Sequence, residues 1–196
     1  MKKYLLAALS LIIVYNLYAD TWQPPTIKTY FSQNGKYMIK VIPTEYPDKY
    51  WDWKQSKEKK KYSKSDTTLI PCHAILYHIY KNDTIHIWNK PLVNRVAPIS
   101  AIVANDGSSI ATFDNWSNLG YGNDVFVIYN ENGELINKYE LEFFSPFDID
   151  DYMISVSSIW WRCGEKYSKS GLIEICCATA ESEKLIYYNI QTKEFE

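Results

Sequence analysis

The stretch from Ala97 to Leu141, APISAIVANDGSSIATFDNWSNLGYGNDVFVIYNENGELINKYEL, constrains the fold more than any other part of the chain. It carries two hairpin signals in succession. The first runs from Ile99 to Phe113 around Asp106-Gly107, and the second from Val125 to Leu141 around Asn132-Gly133. Both dipeptides accept the positive φ that tight hairpin turns impose. Apolar and polar residues alternate on either side of the turns, so the four runs predict one four-stranded antiparallel sheet.

The same pattern occurs upstream. Ile27 to Val41 reads as IKTYFS, the turn Gln33-Asn34-Gly35, and KYMIKV. Ser32 to Val41 aligns with Ala104 to Phe113 without a gap, setting Gly35 on Gly107, Met38 on Ile110 and Val41 on Phe113. A further hairpin, CHAILYHIY and TIHIWNK around Asn82-Asp83, matches the second half of the central block, with Leu76-Tyr77 on Ile128-Tyr129. A two-residue turn there pairs Tyr80 with Ile85, His78 with Ile87 and Tyr77 with Trp88. His78 and His86 then lie on opposite faces, and His73 lies far along the ladder from His86, so the histidines read as structural. A weaker third copy has strands at Val156 to Arg162, Leu172 to Ala178 and Lys184 to Ile190. The turn Gln191-Thr192-Lys193 and a short last strand follow, and Gly164 to Gly171 reads as a polar linker. Before it, FFSPFDIDDYMI reads as a connector with one helical turn starting near Ser145-Pro146.

At YFSQNGKYMIKV and AIVANDGSSIATF the sequence is similar to the WD-like β-propeller repeats of bacterial envelope proteins. The stretch APISAIVANDGSSIATFDNWSNLGYGNDVFVIY also resembles a group of uncharacterised exported bacterial proteins, and that likeness implies no activity. The fold class expected is all-β, with about three four-stranded antiparallel sheets in an incomplete propeller-like array and one or two short helices. A twisted β-sandwich of the same strands is the alternative. Three blades leave open flanks, which the lysine-rich loop, the 142–155 connector or a second chain must cover.

Residues 1–19, MKKYLLAALSLIIVYNLYA, have two lysines, an apolar run from Leu5 to Val14 and a terminal Ala19. This is a secretory signal pattern, and the run is shorter than the roughly 20 residues a spanning helix needs. The expectation is therefore an exported chain, periplasmic or extracellular, with no stable membrane span after cleavage. Residues 20–196 form a single domain, long enough for a substantial core. Charge is uneven along it. Residues 20–100 hold 13 basic and 7 acidic side chains, a net of +6, whereas residues 101–196 hold 6 basic and 16 acidic, a net of −10. Such asymmetry either complements itself between molecules or keeps a surface soluble.

Four cysteines in an exported chain raise the question of disulfides. Cys176 and Cys177 are adjacent and point to opposite faces of a strand, leaving Cys72 and Cys163 as partners. One long-range bridge and buried free thiols both fit. No Cys/His spacing supports zinc.

Two segments carry candidate contacts. The inserted loop at residues 45–71 concentrates six lysines, from Lys54 to Lys64, beside Trp51 and Trp53, with a short helix expected at Asp48 to Tyr62. It reads as a solvated loop with aromatic anchors, or as a surface for an anionic partner. The connection Asp114 to Asp124 is rich in Asp and Asn and holds Gly120 and Gly122. Asp114, Asn115 and Asp124 are candidate calcium ligands, but the spacing is not that of an EF-hand. The other reading is a hydrogen-bonded corner with Trp116 packed beneath. Trp51, Trp53, Trp116 and Tyr121 are the candidate ligand contacts. There is no catalytic constellation and no phosphate-cradling loop, so no cofactor is implied and no nucleic acid is expected. The sequence thus suggests a non-enzymatic binding or scaffold protein for a protein or cell-envelope glycan. The alternatives are a glycan hydrolase that brings Asp114, Asp124 and Asp150 together, and a structural envelope component.

Overall fold

The alternating runs pair as three four-stranded antiparallel meanders in a computed structural model that describes residues 22–81, 83–168 and 170–196. The expected signal at residues 1–19 lies outside the described residues. The first sheet is β1 (Lys28–Phe31), β2 (Tyr37–Ile42), β3 (His73–Tyr80) and β4 (Asp83–Pro91). The central sheet is β5 (Pro98–Val103), β6 (Ser109–Asn115), β7 (Phe126–Asn130) and β8 (Leu135–Tyr139). A two-stranded pair, β9 (Met153–Ile154) and β10 (Ile159–Trp160), precedes the third sheet. That sheet is β11 (Arg162–Tyr167), β12 (Ile173–Ala178), β13 (Glu183–Asn189) and β14 (Glu194–Phe195).

The central sheet lies between the other two, which is why β6 is buried at every position. Alternate side chains of β6 and β7 serve different cores. Ile110, Val127 and Tyr129 pack with Ile39, Val41, Leu76 and Trp88 of the first sheet. Ala111, Phe113, Phe126 and Ile128 pack with Tyr167, Ile173, Ile175 and Tyr188 of the third. The leading strands of the three sheets also meet. Tyr30 Oη donates to Ile99 O at 3.2 Å from β1 to β5, and Arg162 donates to Ser100 Oγ at 3.0 Å from β11 to β5.

The two aligned turns share their backbone hydrogen bonds. Ser32 N donates to Tyr37 O and Gly35 N to Ser32 O, both at 2.9 Å; the same bonds recur from Ala104 to Ser109 O and from Gly107 to Ala104 O, both at 3.0 Å. The two turn glycines differ in what surrounds them. Both hold positive φ, but a Cβ on Gly35 would meet open space, whereas one on Gly107 would lie 2.3 Å from the Tyr37 ring. Gly107→Ala is therefore expected to destabilise the protein by about 2–4 kcal/mol, and Gly35→Ala by about 1 kcal/mol, in urea unfolding. Equal effects would mean that the Tyr37 contact is unimportant.

Several sequence expectations shift. In the second hairpin, Tyr80 pairs with Asp83, His78 with Ile85, Tyr77 with His86 and Leu76 with Trp88. The turn lies one residue earlier than Asn82-Asp83, and an irregularity between Leu76 and Tyr77 absorbs Ile87. The helix expected over residues 48–62 is broken into α1 (Tyr50–Gln55), a 3-10 turn (Lys59–Lys61) and α2 (Lys64–Thr67), the last closed by a Ser63–Asp66 capping box. The turn expected near Ser145 is α3 (Leu141–Phe144), which ends there, because Leu141 and Phe144 bury one face and Pro146 favours an extended Ser145. The segment 156–162 contributes the short β10 and the first residue of β11, and the first half of the predicted linker Gly164 to Gly171 belongs to strand β11.

One disulfide forms, Cys163–Cys176, while Cys72 and Cys177 are free and buried. Burial pushes both free thiols up to about 12. At pH 8.5 the thiolate fraction is then minute in the native state, so iodoacetamide is expected to modify neither cysteine until denaturant is added. Native labelling followed by mass spectrometry checks this, and a stoichiometric adduct without denaturant would contradict it.

Candidate functional site

Five chain segments meet where β2 leaves the first sheet and β6 leaves the central one. Thr44 fixes the first of these. Its backbone N donates to Val96 O at 2.8 Å, its Oγ1 donates to Arg95 O at 2.8 Å, and Cys72 N donates to the same Oγ1 at 2.9 Å. Glu45 and Ile70 then exchange backbone hydrogen bonds of 2.9 and 3.0 Å, which closes the base of the lysine-rich insertion. Beyond that base, the rings of Tyr46, Tyr50 and Trp51 lie within 5.1–5.4 Å of one another, centroid to centroid. Lys54 Nζ lies 5.1 Å from the Trp51 centroid, and Lys59 Nζ lies 4.7 Å from that of Trp53. Of the insertion's two tryptophans, Trp51 lines the cleft described below and Trp53 does not.

The opposite wall is the 114–124 connection. Asn94 is buried and donates to Asp114 O at 3.1 Å and Asn115 Oδ1 at 2.8 Å, tying the 92–97 segment to the end of β6. Trp116 N donates to Ala97 O at 2.9 Å, and its Nε1 donates to Gln23 O at 2.9 Å. The lead-in Trp22 rests edge-on against Trp116 with centroids 6.2 Å apart, and donates to Ser157 Oγ at 3.1 Å.

Between these walls is an open cleft of about 970 Å³. Trp22, Trp51 and Trp116 supply aromatic faces to it, and Glu45, Arg95, Asn118 and Asp124 supply polar groups. Trp51 is 49 % exposed, so much of its ring is open to a ligand. The candidate Tyr121 serves elsewhere, donating to Ser155 O and packing on the core between the central and third sheets.

Asp114 lies inside, fully buried, with φ +57, a backbone conformation that Asp tolerates better than most residues. Its Oδ1 accepts from Gly120 N and Trp161 Nε1, each at 2.8 Å, and its Oδ2 accepts from Arg162 at 3.0 Å. Arg162 also bonds Glu165 and lies 4.8 Å from the Phe113 ring centroid. Burial pushes the Asp114 carboxyl up, while Arg162, Trp161 and the Gly120 N–H draw it back. The carboxylate is occupied by these donors, and Asn115 Oδ1 by Asn94, so of the three candidate calcium ligands Asp124 alone lines the cleft without such a bond on its carboxylate from the described residues. Asp150 is in the 3-10 turn Ile149–Asp151 and, like Asp114, does not line the cleft. Among the described residues, the group of side chains close enough to hold a metal is Cys163, Cys176 and Glu183, and its two sulfurs are joined to each other.

Trp22, Glu45 and Arg95 carried no sequence signal of a site. They are far apart along the chain, and only the packing of the segments makes them neighbours. Comparison with family models, curated proteins and solved structures gave no match.

Proposed function

We propose that the chain is an exported, non-enzymatic binding protein with its three sheets in an incomplete propeller-like array, and that its cleft takes a cell-envelope glycan. One observation carries this reading: three tryptophans line a single open cleft together with carboxylate, guanidinium and amide side chains, among apolar neighbours such as Pro24, Ile42 and Val96. A sugar ring offers an apolar face of C–H groups ringed by hydroxyls. Indole faces suit the first, and Glu45, Asp124, Asn118 and Arg95 suit the second. A protein partner would be better served by a broad apolar patch at this position.

A hydrolase is the second reading, because Glu45 and Asp124 line the same cleft as the tryptophans, and paired carboxylates beside an aromatic platform are what glycoside hydrolysis uses. Incubation with soluble envelope oligosaccharides separates the two. Binding in a calorimetric titration without release of new reducing ends is expected. Steady release of reducing ends that is lost in Asp124→Asn would replace the binding reading with the enzymatic one, and absence of heat with every glycan would remove both.

A further inference from the structure

The repeat leaves one sheet face uncovered at each end of the stack. Aligned through the equivalent turns, Met38 and Tyr77 of the first sheet stand at the positions of Ile110 and Tyr129 in the central sheet. In the central sheet those positions are buried against the preceding sheet. In the first sheet no other sheet among the described residues covers them. Register places Phe31, Met38, Lys40, Ile75, Tyr77 and His86 together on that outer face, and Phe31 is 58 % exposed.

The third sheet shows the complementary case. Ser168 N donates to Leu172 O, and Gly171 N donates to Ser168 O, so β12 follows its turn as β6 does. Glu174, Cys176, Leu185 and Tyr187 then occupy the positions of Ala111, Phe113, Phe126 and Ile128, which in the central sheet receive the following sheet. In the third sheet this face is open, and Leu185 is 50 % exposed. Its charges are Glu174, paired with Lys166, together with Glu183 and Glu194. The outer face of the first sheet has Lys40, His73 and His86 and no carboxylate at its outward positions. One face is apolar with a basic rim, and the other is apolar with an acidic rim.

We propose that the outer face of the first sheet docks on the outer face of the third sheet of a second copy. The repeat has already used this pairing twice within one chain. Since each copy offers both faces, two copies close a ring through two identical contacts, and no edge face is left over. The charge difference between the faces favours this pairing over like with like.

The test uses the protein purified after expression of the full chain, with mass measured by light scattering after size exclusion at micromolar concentration. The wild type is expected to be a discrete dimer. Ile75→Glu places a carboxylate opposite the acidic rim, and Leu185→Lys places an ammonium opposite the basic one. Each variant alone is expected to be monomeric, with the dissociation constant raised at least about tenfold. Their circular dichroism is expected to stay unchanged, because Leu185 is exposed and Ile75 is only partly buried. A one-to-one mixture of the variants is expected to dimerise again, since it restores one wild-type contact and sets opposite charges in the other. A monomeric wild type, an open polymer, dimers unaffected by both substitutions, or a mixture that stays monomeric would each overturn the proposal.

Discussion

Asp114→Ala is expected to lower the unfolding free energy by about 3–5 kcal/mol, because it removes one carboxylate from a buried ion-pair network and leaves Arg162 with Glu165 in place of two counter-charges. For a chain of this length that corresponds to a fall in melting temperature of about 6–20 °C. The substitution also leaves Gly120 N and Trp161 Nε1 without their acceptor, both of which bond the carboxylate at 2.8 Å. It further puts alanine at a φ of +57, which disfavours a residue with a Cβ and no polar side chain. Asp114→Asn keeps an acceptor oxygen and a residue that tolerates this conformation, and is expected to destabilise by less than half as much. Thermal and urea unfolding of the three proteins checks the order. Equal stability of wild type and Asp114→Ala would show that the Asp114–Arg162 pair does not join the central sheet to the third.

The second large effect is expected at Phe126. Its ring lies 5.1–6.0 Å, centroid to centroid, from those of Phe113, Tyr139, Phe144, Tyr188 and Phe195. These belong to β6, β8, α3, β13 and β14, so one side chain touches the central sheet, the connector and the third sheet. Phe126→Ala leaves a cavity that five rings cannot all fill, and is expected to destabilise by about 3–5 kcal/mol. Phe126→Leu retains most of the volume and is expected to lose about 1–2 kcal/mol. Retention of near-wild-type stability by Phe126→Ala would mean that the two sheets are held by contacts elsewhere.

The central sheet was legible because its two turns announce themselves and the strands between them alternate. Gly107 and Gly133 have the positive φ that these turns require. Their second role, letting Tyr37 and Trp88 of the first sheet approach, depends on a neighbouring sheet and has no local signal. β11 was misread for a related reason. Its sequence, Arg-Cys-Gly-Glu-Lys-Tyr, lacks apolar alternation because its side chains are satisfied in pairs: Arg162 with Asp114 and Glu165, Lys166 with Glu174, and Cys163 with Cys176. Such a strand reads as a linker until its partners are in place. The hairpin of β3 and β4 was found with its register displaced, since a bulge adds a residue to one strand without marking the sequence.

The candidate site was legible in fragments. Trp51, Trp116, Asn115 and Asp124 do line the cleft, whereas Trp53 and Tyr121 do not. Both kinds of tryptophan follow a basic or polar stretch, and only the folded insertion decides which ring stays open. The 114–124 connection behaves as a hydrogen-bonded corner around a buried carboxylate, and it lines the cleft with Asn115 to Asn118 near its start and Asp124 at its end. Among the described residues no helix is long and apolar enough to cross a membrane.

The most direct measurement is a thermal melt of wild type and Trp51→Ala with soluble envelope oligosaccharides. A ligand at about 100 times its dissociation constant stabilises by about 2.7 kcal/mol, which for a domain of this size is a rise of about 5–10 °C. Trp51 is exposed and belongs to a helix with no buried residue, so its replacement should leave the unliganded melt unchanged. A rise in the wild type that disappears in Trp51→Ala is the result predicted. No rise with any glycan, or a rise that survives the substitution, would contradict the assignment of the cleft.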